Sequence, residues 1–496
     1  MNSILMFVRQ ITPARLFMIG LALLAGCLPM AWTPIELDKE LGKQTAKQVD
    51  QQIGLYELSV TGEYVRAIGN RLVDHLEERQ FQYVFNIVDQ QEPNAFAAPG
   101  GYVYFSRGLL SLANSEDELA GVMGHEIIHV HERHSVRQSR KDILPRLLTL
   151  PGRIVGGVVS ENLGALVNAP VNLMGTVYLA TYSRGQESQA DEMGIKLAAA
   201  SGYDPKALAQ MLLQLEDSQK EQTGKEQTFS FFASHPMTPT RIKEIDQEAA
   251  TLQWTRQPPI AEGRRAFLNH LNGLVLEEDP AQGLFKGRQF VQPDLNFSIT
   301  FPDKWKTLNT PSAVGAFAEK KDGLAVIGLA GKDADPDLVA QTFVDDMKRQ
   351  QKVEPAEVKN VQFGDWHGKL VTYTDTTGSE PMTIYFLWVR MGAMTYQLIG
   401  LGPERYHELL KETAMSLRPL TAEERQSITV KRLRIAEARA GETIEEFGRR
   451  AGNSWTPAYT AVVNEIPVDK PLEAGQLIKI SHVEPYRPGS DGPETQ

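Results

Sequence analysis

A single cysteine in 496 residues excludes an intrachain disulfide, so packing, hydrogen bonds or a bound ion must hold this chain together. Positive charge is also short: 51 Lys and Arg against 62 Asp and Glu leave a net charge of −11. A nucleic-acid binder needs a basic face, and that class is set aside. Long apolar runs are missing too. The clean run Leu16–Ala25 covers about ten residues, half of what a membrane-crossing helix requires. The glycine-rich apolar stretch 150–180 is broken by Glu161, Asn162, Asn168 and Asn172, which predicts helical segments and not a membrane span. What is present is ordinary globular material, 42% apolar and 23% charged, in a chain long enough for about two to four domains.

At the start, Arg9 and Arg15 precede the Leu16–Ala25 run, which ends in Leu24-Ala25-Gly26-Cys27. Basic lead, short apolar core and small residues make a secretory signal. The last four residues resemble the lipobox of bacterial lipoproteins. That resemblance implies removal of residues 1–26 as a signal peptide and lipid attachment at Cys27. Leu28, where an aspartate would favour retention, implies the outer membrane facing the periplasm. An ordinary secretory signal with an incidental cysteine is the plainer alternative.

The remaining pattern predicts an α+β multidomain protein. Residues 27–255 read as mainly helical, with strand-like alternation over Phe81–Val88, a turn-rich NAFAAPGG, and a β run at Tyr102-Val103-Tyr104-Phe105. Ser115 with Glu118 three residues on predicts a capped helix running through residues 125–129. Residues 256–288 read as a linker. Alternation at Leu295, Phe297, Ile299 and Phe301 opens an α+β unit over 289–420, with helices expected near 335–349 and 403–417. A small unit follows at 425–482. The Pro/Gly-rich 483–496 reads as a disordered tail.

Four of the chain's ten histidines fall in HEIIHVHERH, residues 125–134. A helix turns about 100° per residue, so His125 and His129 lie within about 40° of each other and can share a metal. Continued on the same helix, His131 and His134 point to its far side. HExxH on a helix is a zinc-hydrolase signature, with the glutamate, here Glu126, as base. Catalytic zinc wants a third protein ligand and an open position. Downstream, in YSRGQESQADEMG, Glu187 and Asp191 stand four apart on one helical face. Glu187 fits as the third ligand, and Asp191 as the carboxylate that orients a ligating histidine. Gly121 and Gly124 inside the same helix call for a close-packed neighbour.

NAFAAPGG, EDELAGVMGHEIIHVHERH, YSRGQESQADEMG and SHPMTPTR occur in that order. Together they resemble the zinc metallopeptidase family that includes HtpX and the CAAX prenyl proteases, most of all its soluble periplasmic lipoprotein members. The resemblance implies a zincin domain of the gluzincin type with a small edge-strand sheet. It implies one Zn2+ per chain, bound by His125, His129 and Glu187, with Glu126 as general base. His235 and Arg241 are implied as the pair facing the scissile carbonyl, though His235 can instead fill zinc's open position at rest, or merely cap a helix. The strand Tyr102–Phe105 is implied as the neighbour packed on Gly121 and Gly124, with Tyr102, Val103 and Tyr104 as the cleft edge that takes up substrate by β-pairing.

Residues 433–480, with Gly441-Glu442-Thr443-Ile444, then Asn464 and a closing Gly475-Gln476-Leu477, resemble a LysM module, which implies a βααβ unit that binds N-acetylglucosamine polymers such as peptidoglycan. A protein-docking or spacer role for the same unit stays open. The expectation is a zinc endopeptidase acting on misfolded or misassembled envelope proteins. An anchored scaffold or chaperone-like binder with its protease domain held shut is the rival.

Overall fold

The computed structural model describes residues 34–136, 181–223, 230–238, 240–311, 313–363, 366–376 and 380–489. The signal peptide, Cys27 and the 150–180 stretch lie outside the described residues.

Helices α1 (Pro34–Gln52) and α2 (Ser59–Val73) lead into a three-stranded sheet of β1 (Val84–Val88), β2 (Ala95–Ala98) and β3 (Tyr102–Ser106), ordered β1-β3-β2. A short helix, α3 (Arg107–Leu112), continues from β3. The buried helix α4 (Glu116–His131) follows, and Ser115 Oγ caps it by accepting from Glu118 N at 3.2 Å. The Glu118 carboxylate reaches one residue further back than a simple capping box requires, accepting from Asn114 N at 2.7 Å.

Helices α5 (Arg184–Ala200) and α6 (Ala207–Thr223) pack directly on α4. The two glycines of α4 explain how closely. A Cβ at Gly121 would stand 2.9 Å from Leu208 N, and one at Gly124 would stand 2.8 Å from Gly194 O. The neighbours these glycines accommodate are therefore α6 and α5, not the strand Tyr102–Phe105. Gly194 returns the fit, since its own Cβ would meet His125 N at 2.8 Å. Backbone-to-backbone contact thus sets the spacing between the helix of His125 and the helix of Glu187. Two shorter helices, α7 (Ser230–Ser234) and α8 (Arg241–Ala249), close this part.

The expected linker is built into the fold. Helix α9 (Gly263–Leu271) buries Phe267, Leu268 and Leu271 in the same core as α2 and α4. Strands β4 (Leu284–Lys286), β5 (Gln289–Gln292) and β6 (Phe297–Thr300) form a small antiparallel sheet. Beyond it, β7 (Lys306–Asn309), β8 (Ala313–Phe317) and β9 (Leu324–Lys332) join β10 (Glu357–Phe363), β11 (Trp366–Asp375), β12 (Met382–Met391) and β13 (Met394–Pro403). These seven make one antiparallel sheet in the order β10-β11-β12-β13-β9-β8-β7. Helix α10 (Pro336–Asp346) covers one face through Phe343 against Tyr373, Phe386 and Trp388. Helix α11 (His407–Met415) packs on the other through Leu410.

After the single turn α12 (Ala422–Gln426), the last unit runs β14 (Thr429–Glu437), α13 (Ile444–Ala451), α14 (Pro457–Asn464) and β15 (Leu477–Pro485), its two strands antiparallel. Its order is strand, helix, helix, strand. It is not tethered loosely: Leu433, Val463 and Leu477 sit in the core they share with α4 and α6. Order extends past residue 483. Buried Tyr486 donates to Asp294 Oδ2 at 2.6 Å, so the expected tail is structured at least to residue 489.

Candidate metal centre

Four side chains from three elements converge at the junction of α4, α5 and the end of α7. His125 and His129 stand one turn apart on α4, Glu187 on the first turn of α5, and His235 just past α7. His125 Nε2 lies 3.0 Å from His129 Nε2 and 3.2 Å from His235 Nδ1. Glu187 Oε1 lies 3.3 Å from His129 Nε2 and 3.1 Å from His235 Nδ1. One donor atom from each residue falls within 4.8 Å of all the others, and all four residues are buried. Four tetrahedral ligands at the zinc–nitrogen and zinc–oxygen distance of about 2.0–2.1 Å would stand about 3.3 Å apart. The donor set fits a zinc ion in both chemistry and size.

Protonation favours the same reading. Burial pushes His129 well below the ordinary histidine range. Burial would raise Glu187, but His235, His129 and His125 outweigh it and hold the carboxyl well below the usual range. A neutral imidazole and an ionised carboxylate are the forms a metal requires. At His235 burial is outweighed in turn by Glu187 and Glu126, which raise it.

Around the donors, Asp191 Oδ1 lies 2.8 Å from His125 Nδ1, placed to accept its proton and turn Nε2 inward. Arg241, at the start of α8, grips Asp191 with Nε and Nη2 at 2.7 and 2.8 Å, and its Nη1 meets Glu187 Oε2 at 2.7 Å. Every nitrogen of the guanidinium is thus spent on the two carboxylates. Instead of facing a scissile carbonyl, as expected, Arg241 stands behind the donors and locks α5 to α8. Glu126 is fully buried, its Oε1 is 3.3 Å from His235 Nε2, and neither carboxylate oxygen accepts a hydrogen bond from the described residues. Burial raises its pKa.

Three further placements differ from the sequence reading. Strand β3 is central, pairing in parallel with β1 across Val84–Val88 and antiparallel with β2 across Ala95–Ala98. Tyr102, Val103 and Tyr104 therefore have no free edge to offer, and the outer strand beside α4 is β2. His134 does not look away, because α4 ends at His131 and left-handed Arg133 (φ 58°) turns the chain back. Its Nδ1 comes to 3.0 Å from His129 Nδ1. Tyr182 was not foreseen: its buried ring stacks on His129 with centroids 3.7 Å apart. Its position one residue before SRGQES was the available signal.

Residues 59–249 match the family model described as Peptidase family M48. A "Putative beta-barrel assembly-enhancing protease" of Vibrio cholerae serotype O1 is 28% identical over 228 residues, covering 44% of this chain and 46% of the relative. A "Beta-barrel assembly-enhancing protease" of Escherichia coli strain K12 is 28% identical over 217 residues, covering 43% and 44%. "Mitochondrial metalloendopeptidase OMA1" of Schizosaccharomyces pombe is 26% identical over 226 residues, covering 45% and 64%. The match spans under half the length of the two bacterial relatives. Residues 59–249, which carry the four donors, Glu126 and Arg241, belong to peptidase family M48, a family of zinc metallopeptidases.

Proposed function

We propose that the chain is a zinc metalloendopeptidase of the bacterial cell envelope that hydrolyses misfolded or misassembled envelope proteins. The observation that carries this is the placement of Glu126. A buried carboxylate with no hydrogen-bond donor on either oxygen among the described residues adjoins a donor set sized for zinc. A zinc ion held by His125, His129 and Glu187 would supply an acidified water and a polarised peptide carbonyl. Glu126 takes the proton from that water and delivers it to the leaving amine, and burial suits it by raising its proton affinity. Asp191 and Arg241 keep the His125 ring and the Glu187 carboxylate in place. Substrate enters in extended form along the outer edge of β2, Ala95–Ala98, which runs beside α4. The relatives' names, which speak of barrel assembly and of metalloendopeptidases, support the substrate class.

One assay on residues 28–496 tests this: zinc stoichiometry together with casein cleavage. One zinc per chain and chelator-sensitive cleavage are expected. No zinc and no cleavage in any variant would leave the scaffold reading.

His235 favours a resting state within the same reading. Its Nδ1 stands with the three other donors and would take the fourth position, which a catalytic zinc otherwise keeps for water. His235→Ala should retain zinc on three protein ligands and raise casein cleavage by about tenfold or more, the gain from releasing a state open no more than a tenth of the time. A drop in cleavage with zinc retained would make His235 a participant in catalysis instead.

The Cys27 lipid anchor is proposed on the lipobox resemblance. Loss of the mature protein from the membrane fraction in Cys27→Ser tests it. The strand–helix–helix–strand order of 429–485 supports a glycan-binding unit, and retention of the chain on purified peptidoglycan sacculi tests that.

A further inference from the structure

Arg133, His134 and Ser135, the three residues that follow α4 and its cap, all bear on the ring of His129. If His129 offers Nε2 to zinc, its Nδ1 must carry the proton and needs an acceptor. His125 has a carboxylate for this purpose, Asp191. The partner of His129 is a second imidazole, His134 Nδ1 at 3.0 Å, in a side chain only 1% exposed. On the other side of that ring, His134 Nε2 lies 3.2 Å from Gln189 Oε1. A carboxamide oxygen can only accept, so Nε2 of His134 carries its proton and Nδ1 keeps its lone pair for His129.

The turn that brings His134 back is itself held from two directions. Arg133, in the left-handed region, donates through Nε and Nη2 to both oxygens of Asp38 at 2.5 and 2.9 Å, and Asp38 on α1 is 1% exposed. Gln186 Nε2, from the first turn of α5, donates to His134 O at 3.1 Å. Ser135 Oγ lies 3.0 Å from the hydroxyl of Tyr182, whose ring stacks on His129. Gln186 and Gln189, two members of SRGQESQADE that neither ligation nor hydrolysis employs, both hold His134.

We infer that His134 is a positioning residue of the metal centre, the acceptor that fixes the tautomer and rotation of His129. This rests on the metal-centre reading. It predicts that His134→Leu weakens zinc binding by about 10- to 100-fold, the range for losing an outer partner of a ligating histidine. Zinc affinity is read by competition with a chromophoric chelator, and the melting temperature of the zinc-free protein is measured alongside. His134→Asn sets an acceptor oxygen where Nδ1 stood and should recover most of the affinity, which a merely space-filling role would not produce. Gln189→Leu, which frees the tautomer of His134, should weaken zinc binding in the same direction by a smaller factor. Should His134→Leu fail to fold, the Asn and Gln189→Leu variants carry the comparison. Wild-type zinc affinity in His134→Leu and in Gln189→Leu, or an Asn variant no tighter than Leu, overturns the inference. Absence of zinc binding in the unmodified chain would overturn the metal-centre reading as well.

Discussion

Glu126→Gln is expected to keep its zinc and to lose peptidase activity by a factor of about 10² to 10⁴, the usual contribution of a positioned general base. That loss corresponds to about 2.7–5.5 kcal/mol of barrier. Zinc should stay because Glu126 is not among the converging donors, which are His125, His129, Glu187 and His235. The fold should stay because glutamine has the same shape in a fully buried site. What disappears is the capacity to take a proton. With His235 Nδ1 turned to the other donors, Nε2 carries the ring proton, and the amide oxygen can still accept from it across the 3.3 Å now spanned to Oε1, so the substitution leaves the resting state in place. The comparison is therefore best repeated in the His235→Ala background, where that state is absent. Zinc content and kcat/KM on an unstructured protein decide the matter. A Gln variant that holds zinc and cleaves at the wild-type rate would remove Glu126 from the mechanism.

The parts of this site that the sequence discloses share a property: they depend on spacing within one helix. His125 and His129 lie four apart on α4, and Glu187 and Asp191 four apart on α5, so helical geometry alone puts each pair on one face. His134 escaped because the same geometry was carried past the end of the helix. No Gly or Pro in HERHS marks the stop; it is made by left-handed Arg133, held by Asp38, 95 residues away in sequence. Arg241 was legible as a functional residue but not its direction, which Asp191 and Glu187 decide from another helix. The strand Tyr102–Phe105 was taken for an edge, yet Val103, Tyr104 and Phe105 are apolar in succession and buried on both faces, the mark of a central strand. Likewise Phe267, Leu268 and Leu271 carry helical spacing within the supposed linker, and the polar residues between them hid it.

Lys479→Ala is expected to destabilise the whole protein by about 2–5 kcal/mol, from buried acceptors left without a donor together with the packing lost with the side-chain stem. Lysine is seldom buried, yet Lys479 in β15 is 0% exposed. Its Nζ reaches Ser111 O, Leu112 O and Ala113 O at 3.0, 2.8 and 2.8 Å. Those carbonyls end α3, where the helix leaves acceptors without partners and carries partial negative charge. An ammonium has three donors, and each finds one of them. The backbone of Lys479 is fixed in turn by Asn464, which accepts from Lys479 N at 2.7 Å and donates to Lys479 O at 2.9 Å. Nearby, Asn114 and Gln214 donate to Val463 O and Val462 O at 3.1 and 2.7 Å. Lys479 therefore ties the C-terminal unit to the helix leading into α4, beside the contacts of Asn114 and Gln214. Lys479→Met keeps the apolar stem but leaves the carbonyls unserved, so it should recover only the packing part of the loss. Urea unfolding followed by tryptophan fluorescence, to which Trp455 of the C-terminal unit contributes, and by zinc release should give coincident midpoints in the unmodified chain, both shifted down together in the variants. Two separate transitions, or a Lys479→Ala midpoint equal to wild type, would show that the C-terminal unit is an independent appendage and that the lysine does not bind it to the protease domain.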